Sequence, residues 1–375
     1  MSAEKGIDVA AVGDVLDINT WSNIPYFFYK AGKEAGIFSR PWRLDVTPFT
    51  TPRIVWNAKQ VMLGRGAGGF QYSDEFIDAC EKQVPSEYFS STIISFNQVF
   101  PRAASVKKAN GRIFYYIDAT LHDLFNSDVY NIRIPARMRS IALETETRNY
   151  QQADGIVTMG RWAQEALFDF YKIDRSKVFQ VLPGANIDVP SDFHPKPFTD
   201  GAGTSRDLTL GFIGKDWQRK GLPLLLDVRD KLQASGLKTK VVVIGNMPEE
   251  LKDREGIVYG GFIDKESDTQ RFIDIVSGCD FGCLFSSSEA LGISTLEFLR
   301  LGVPVMGFDH QGLKDTLIDG ASLRFNINDD ATVVARTISS VVQSDQMQFL
   351  KEEAIRQRNS VTWNVCVNKW ADIIR

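Results

Sequence analysis

"CDFGCLFSSSEALGISTLEFLRLGVPVMGF", residues 279–308, reads as strand, loop, helix and strand in succession. Apolar runs at 279–287 and 302–308 flank 294–301, whose apolar residues recur at helical spacing. A helix between two buried runs is the crossover that parallel strands require. The same alternation extends outward on both sides. Strand-like runs lie at 208–214, 239–246 and 256–262, with helical patterns at 220–235 and 268–278. Toward the amino terminus, 7–15, 42–48, 91–97, 111–118, 153–160 and 177–186 read as strands. Residues 24–36 read as a helix closed by Gly36. Between the halves, "PSDFHPKPFTDGAGTSRD" (190–207) carries three prolines and no apolar periodicity, and reads as a seam. These patterns predict an α/β protein of two doubly wound, Rossmann-like domains facing a central cleft. The expected boundaries are 1–192, a linker at 193–207, and 208–359, with a terminal helix at 360–375 returning to the first domain.

Bulk properties narrow the function. A chain of 375 residues is long enough for two cores. A net charge of -4 provides no basic excess for wholesale nucleic-acid binding. Cys80, Cys279, Cys283 and Cys366 make no metal-ligand pattern and read as buried thiols of a reducing cytoplasm. The opening "MSAEKGIDVAAVGDV" does not read as a signal peptide, and no apolar run is long enough to span a membrane. Arg133, Arg137, Arg139 and the Lys107–Lys108 pair could still meet anionic lipid, leaving peripheral contact at the inner membrane face open.

Within the opening stretch, Glu289 and Glu297 bracket a helix start. The first-turn N–H groups and the helix dipole there suit a phosphate. Glu289, in the loop, could accept from a polyol, and Glu297 could clasp a vicinal diol such as ribose. The competing reading is a capping box, with Ser294 as cap and Glu297 reaching back to it. Earlier, "GFIGKDWQRKG" (211–221) sets Lys215, Arg219 and Lys220 between a strand and a helix. Three cations at a strand's carboxyl end suit a diphosphate; a solvated basic turn is the plainer alternative. Diphosphate, sugar and ribose together describe a nucleotide-sugar.

The order "GFIGKDWQRKG … VVVIGN … GGFIDK … SSSEALGISTLEFLRLGVPV" resembles the carboxyl-terminal domain of glycosyltransferase family 4, the retaining GT-B enzymes called glycosyl transferases group 1. "EALGISTLE" is similar to that family's E-x7-E signature, and "GK…RKG" to its G-R…K-G element, with Lys215 where arginine is commoner. Residues 153–188 and the closing "VTWNVCVNKWADII" (361–374) are also similar to the family. The resemblance implies that Glu289 meets the donor sugar and that Leu291, Gly292, Ile293 and Ser294 hold the diphosphate. It implies that Glu297 binds ribose, and that Lys215 and Lys220 stabilise the leaving group. It places the base near Gly245, Phe262 and Ile263. It implies no metal and no cofactor beyond a UDP- or GDP-linked sugar as co-substrate, with a small-molecule, polysaccharide or lipid-linked hydroxyl as acceptor.

Asp118 stands at the end of "RIFYYID", where many members carry histidine, and is a candidate catalytic residue or a turn cap. "DHQGLKD" (309–315) replaces a usual Gly-Gly with His310 and Gln311. The first domain's loop "DINTWSNIPYFFYK" (17–30) presents Trp21, Ser22 and Asn23 as cleft residues. The rival expectations are an inactive sugar-nucleotide-binding scaffold, an epimerase and a phosphorylase on the same fold.

Overall fold

The computed structural model describes residues 6–127, 129–130, 132–196 and 207–375; residues 197–206 of the expected linker lie outside them. The chain divides into two compact units. One is Met1–Pro183 with Trp363–Arg375, and the other is Gly184–Thr362.

The first unit holds strands β1 (Ile7–Ala10), β2 (Phe38–Pro41), β3 (Thr92–Ser95), β4 (Arg112–Ile117), β5 (Gly155–Thr158) and β6 (Val178–Gln180). They form one sheet in the order β2-β1-β3-β4-β5-β6, and every pairing is parallel. The second unit holds β7 (Leu208–Gly214), β8 (Thr239–Gly245), β9 (Ile257–Gly261), β10 (Phe281–Leu284), β11 (Val305–Phe308) and β12 (Ser322–Phe325). Their order is β12-β11-β10-β7-β8-β9, again all parallel. The strands are near-continuous apolar runs because helices cover both faces, as in "TKVVVIG", where Val241, Val242, Val243 and Ile244 are all buried. This is the two-domain, Rossmann-like architecture of GT-B proteins.

The expected strand at 42–48 is corrected. The strand is β2, four residues earlier, and Thr47–Phe49 forms a 3₁₀ turn. Asp45 accepts from the Thr47 N–H at 2.9 Å, and Pro48 has no N–H for a ladder, so the chain turns there. The closing helix Trp363–Ile374 packs on the first unit, with Trp370 against Tyr116 and Phe28 at ring-centroid separations of 5.1 and 5.9 Å. Helices Thr50–Met62 and Ala136–Gln152 had no counterpart in the sequence reading. The first turns its exposed apolar residues outward, so its pattern does not mark a buried face.

Candidate functional site

In an open parallel sheet, ligands bind at the carboxyl ends of the strands where the strand order reverses. In the second unit that point lies between β7 and β10. The segments leaving these two strands are the ones that carry the expected residues, Lys215–Lys220 after β7 and Phe285–Gly292 after β10.

Two helices begin at this point, Leu222–Ala234 and Ile293–Arg300, each preceded by a left-handed glycine and neither capped by a side chain. Gly221 (φ 83°) could not carry a side chain, since a Cβ would fall 2.2 Å from the Phe285 carbonyl oxygen. Gly292 (φ 84°) is held similarly, its Cβ position 2.5 Å from Leu313 Cδ2. Both first turns therefore lack a side-chain acceptor for their N–H groups, which is the arrangement an anionic ligand completes.

The capping-box reading of "STLE" does not hold. Gly292 is the cap, so Ser294 lies inside the helix. The Glu297 carboxylate is buried and bonded to the Lys265 ammonium. Lys265 follows the "GGFID" turn and lies over the Phe272 ring. It is the main residue that the sequence alone did not single out, although it closes the motif "GGFIDK". What marks it is its pairing with a buried acid across 32 residues of sequence.

Glu289 sits between two cations. Its Oε2 accepts from Arg219 Nη1 at 3.1 Å and lies 3.4 Å from Lys220 Nζ. Arg219 also bonds Asp216, the Ser286 hydroxyl and the Ser288 carbonyl. It thus ties the loop after β7 to the loop after β10, and the Ser287 N–H donates to the Arg219 carbonyl at 2.8 Å. Lys215 Nζ stands 5.3 Å above the ring of Phe262, which is exposed, while Ile263 is buried. Gly245 ends β8 beside Gly214. The structure thus brings Lys220, Arg219 and Glu289 into direct contact, joins Glu297 to Lys265, and pairs Lys215 with Phe262.

The histidine and glutamine that replace the usual glycines brace the Glu289 loop. Gln311 (φ 45°) accepts at Oε1 from the Glu289 N–H at 2.8 Å and the Ser288 hydroxyl at 2.9 Å. His310 Nε2 lies 2.8 Å from the Ser286 carbonyl oxygen. Holding Gln311 in the left-handed region is costly for a residue with a side chain. Its two hydrogen bonds offset that cost.

In the first unit the order reverses between β1 and β3. Trp21, Ser22 and Asn23 lie in the loop after β1, and all three have positive φ. Asn23 donates to the Ile18 carbonyl and fixes the loop. Trp21 stacks toward Phe96 at 5.6 Å. Asp118 directly follows β4. It is not the cap of the next helix, Leu121–Phe125, which is capped by Thr120 in a reciprocal box with Asp123. Beneath that helix lies fully buried Glu146, which accepts from the Leu121 N–H at 2.9 Å and from the hydroxyls of Tyr150 and Tyr171. Burial pushes its carboxyl up to about 8, against the lowering pull of these bonds. Lys107, one of the cations that could meet anionic lipid, is paired with Asp154 at 2.6 Å.

The four cysteines are free and buried. Among the described residues, no three His, Cys, Asp or Glu side chains group to hold a metal ion, and no helix is long and apolar enough to cross a membrane.

Residues 202–358 match the family model described as "Glycosyl transferases group 1". The chain is 27% identical over 192 residues to the phosphatidyl-myo-inositol mannosyltransferase of Mycolicibacterium smegmatis, a match spanning half of this chain and 47% of that protein. In fold it is similar to sucrose-phosphate synthase of Thermosynechococcus elongatus, with a TM-score of 0.68, 13% identity and 98% of each chain covered. It is also similar to a glycosyltransferase of Rickettsia africae, with a TM-score of 0.63 and 15% identity over 99% of this chain and 98% of that one. A third similar structure is Anabaena HepE in complex with UDP and glucose, at a TM-score of 0.62 and 11% identity over 98% of each chain. The structural likenesses show the shared two-domain fold, and the likeness to glycosyl transferases group 1 lies in residues 202–358.

Proposed function

We propose that the protein transfers a sugar from a nucleotide-diphosphate donor to an acceptor hydroxyl, with retention at the anomeric carbon and without a metal. The observation that carries this reading is the charge arrangement at the β7/β10 switch point. Lys220 and Arg219 flank Glu289, and two helices start there without side-chain caps.

The donor diphosphate lies against the helix start at Leu291–Ser294, with Lys215 and Lys220 reaching its oxygens. Glu289 accepts from the sugar hydroxyls. Glu297 accepts from ribose, oriented by Lys265. The base lies by Gly245, Phe262 and Ile263. The anomeric carbon–oxygen bond to the diphosphate breaks through an oxocarbenium-like state, and both bonding electrons leave with the diphosphate. The acceptor oxygen bonds the same face of that carbon, and its proton passes to a leaving-group oxygen. The chain supplies positioning and preorganised charge. Arg219 is a positioning residue, since its guanidinium braces both loops. Asp118 touches the sugar or the acceptor. A nucleotide-sugar donor suits the UDP and glucose held by Anabaena HepE, and a lipid-linked hydroxyl acceptor suits the phosphatidyl-myo-inositol mannosyltransferase. The site is cytoplasmic in this reading.

A panel of UDP- and GDP-sugars, incubated with the protein and followed by proton NMR, tests it. Slow donor hydrolysis should release sugar whose first-formed anomer matches the donor. An inverted anomer would overturn retention. Donor binding without turnover, with or without acceptors, would favour the inactive scaffold.

A further inference from the structure

We propose that the outward face of helix Thr50–Met62, with the arginine-lined cavity beside it, docks the protein on a membrane surface rich in anionic lipid. The proposal rests on the first unit alone and does not depend on the donor site.

Isolated apolar side chains on a protein surface need no explanation. These are not isolated. Five of the fourteen large apolar residues exposed among the described residues fall at Ile54, Val55, Val61, Met62 and Leu63. Exposure reaches 61% at Ile54, 63% at Val55, 57% at Val61 and 87% at Met62. At about 100° per residue, these four and exposed Ala58 fall within an arc of roughly 120°. Buried Trp56 and Gln60 lie on the opposite side. Trp56 packs on Phe70 at 5.7 Å and anchors that side inward. The helix thus presents its apolar stripe to solvent, the reverse of a helix that serves only a core.

Charge identifies the occupant. Residues 46–73 contain no Asp or Glu and carry Arg53, Lys59 and Arg65, in a chain whose net charge is -4. Residues 132–143 also lack acids and carry Arg133, Arg137 and Arg139. The two segments meet. The loop after the helix is tied back by the Gly68 N–H donating to Asn57 at 2.8 Å. Ala67 of that loop, Pro135, Arg133 and Arg139 line one cavity of about 510 Å³. An apolar stripe flanked by cations suits an acyl layer under anionic headgroups. The cavity between two arginines suits a lipid phosphate.

Flotation of the full chain with vesicles tests this. One set is phosphatidylcholine alone and the other contains about 30 mol% phosphatidylglycerol, an anionic content at which each cation near the surface counts. Wild-type protein should float with the anionic set, and less so as salt rises. Val55→Glu with Met62→Glu should cut partitioning at least tenfold. Arg65→Ala with Arg137→Ala should cut it roughly tenfold, on anionic vesicles only. All four positions are exposed, so melting temperatures should stay near wild type. No flotation of the wild type, or equal flotation of the glutamate variant, would overturn the proposal. So would a concentration-dependent dimer that the glutamate variant abolishes, since a second copy would then be the occupant. Nucleotide-sugar binding without vesicles reports on the donor site separately.

Discussion

The two units share a plan and differ at the same place in it. Both are six-stranded parallel sheets, and both have a reversal of strand order where a ligand can enter. In the second unit that point is charged, with Lys215, Arg219, Lys220 and Glu289 on the loops. In the first it is aromatic and conformationally strained, with Trp21 beside Phe96 and three successive left-handed residues. Fold alone assigns no role to either; the loops do. The charged point has the groups for a diphosphate, while the aromatic point presents Trp21, and Asp118 follows β4 of the same sheet.

The largest effect should come from the charged side. Lys215→Ala with Lys220→Ala should lower turnover by on the order of 10²-fold or more, with melting little changed. Turnover at the wild-type rate would remove the diphosphate from this site.

Two variants separate the units more finely. Asp118→Asn should lower turnover at least tenfold, about 1.4 kcal/mol in the barrier, while nucleotide affinity holds. A change in nucleotide affinity alone would break the division of labour. Glu297→Gln should do the opposite and weaken nucleotide binding about tenfold, or about 1.4 kcal/mol. It also leaves Lys265 facing an amide, so some stability is lost. Adding Lys265→Met should recover stability and not affinity. Recovery of both would make the pair structural only.

The smallest effect concerns stability in the first unit. Glu146 has its carboxyl raised by burial from an ordinary 4.5 to about 8. A raised acid binds its proton more tightly when folded. Its contribution is therefore complete below about pH 4.5 and is lost as pH rises through about 8. Wild-type melting temperature should fall between pH 6 and 9 by about 2–4 °C for each kcal/mol of linkage, and Glu146→Gln should flatten that slope. An identical slope in the variant would place the titration elsewhere.

Much of the second unit was legible because its signals are local. Alternating apolar runs marked β7, β8, β9, β10 and β11 to within a few residues, and the cations and glutamates lay in two short motifs. The first unit was less legible. The strand expected at 42–48 was displaced by the Asp45–Thr47 turn. Helix Thr50–Met62 went unread because its apolar residues face outward. At the candidate site, the missing knowledge was long-range. No spacing rule connects Lys265 with Glu297, or Gln311 with the Glu289 N–H, because these contacts depend on the strand order. The capping-box alternative failed for a local reason, since left-handed Gly292 caps a helix that begins at Ile293, one residue before Ser294.

The most direct test of the central claim is titration calorimetry of UDP- and GDP-sugars into the wild type and into the Lys220→Ala, Glu297→Gln double variant. The account predicts that at least one donor binds the wild type at micromolar to sub-millimolar concentration and that the variant loses this binding by tenfold or more. Equal binding by both proteins, or none by the wild type, would contradict a nucleotide-sugar site at the β7/β10 switch point.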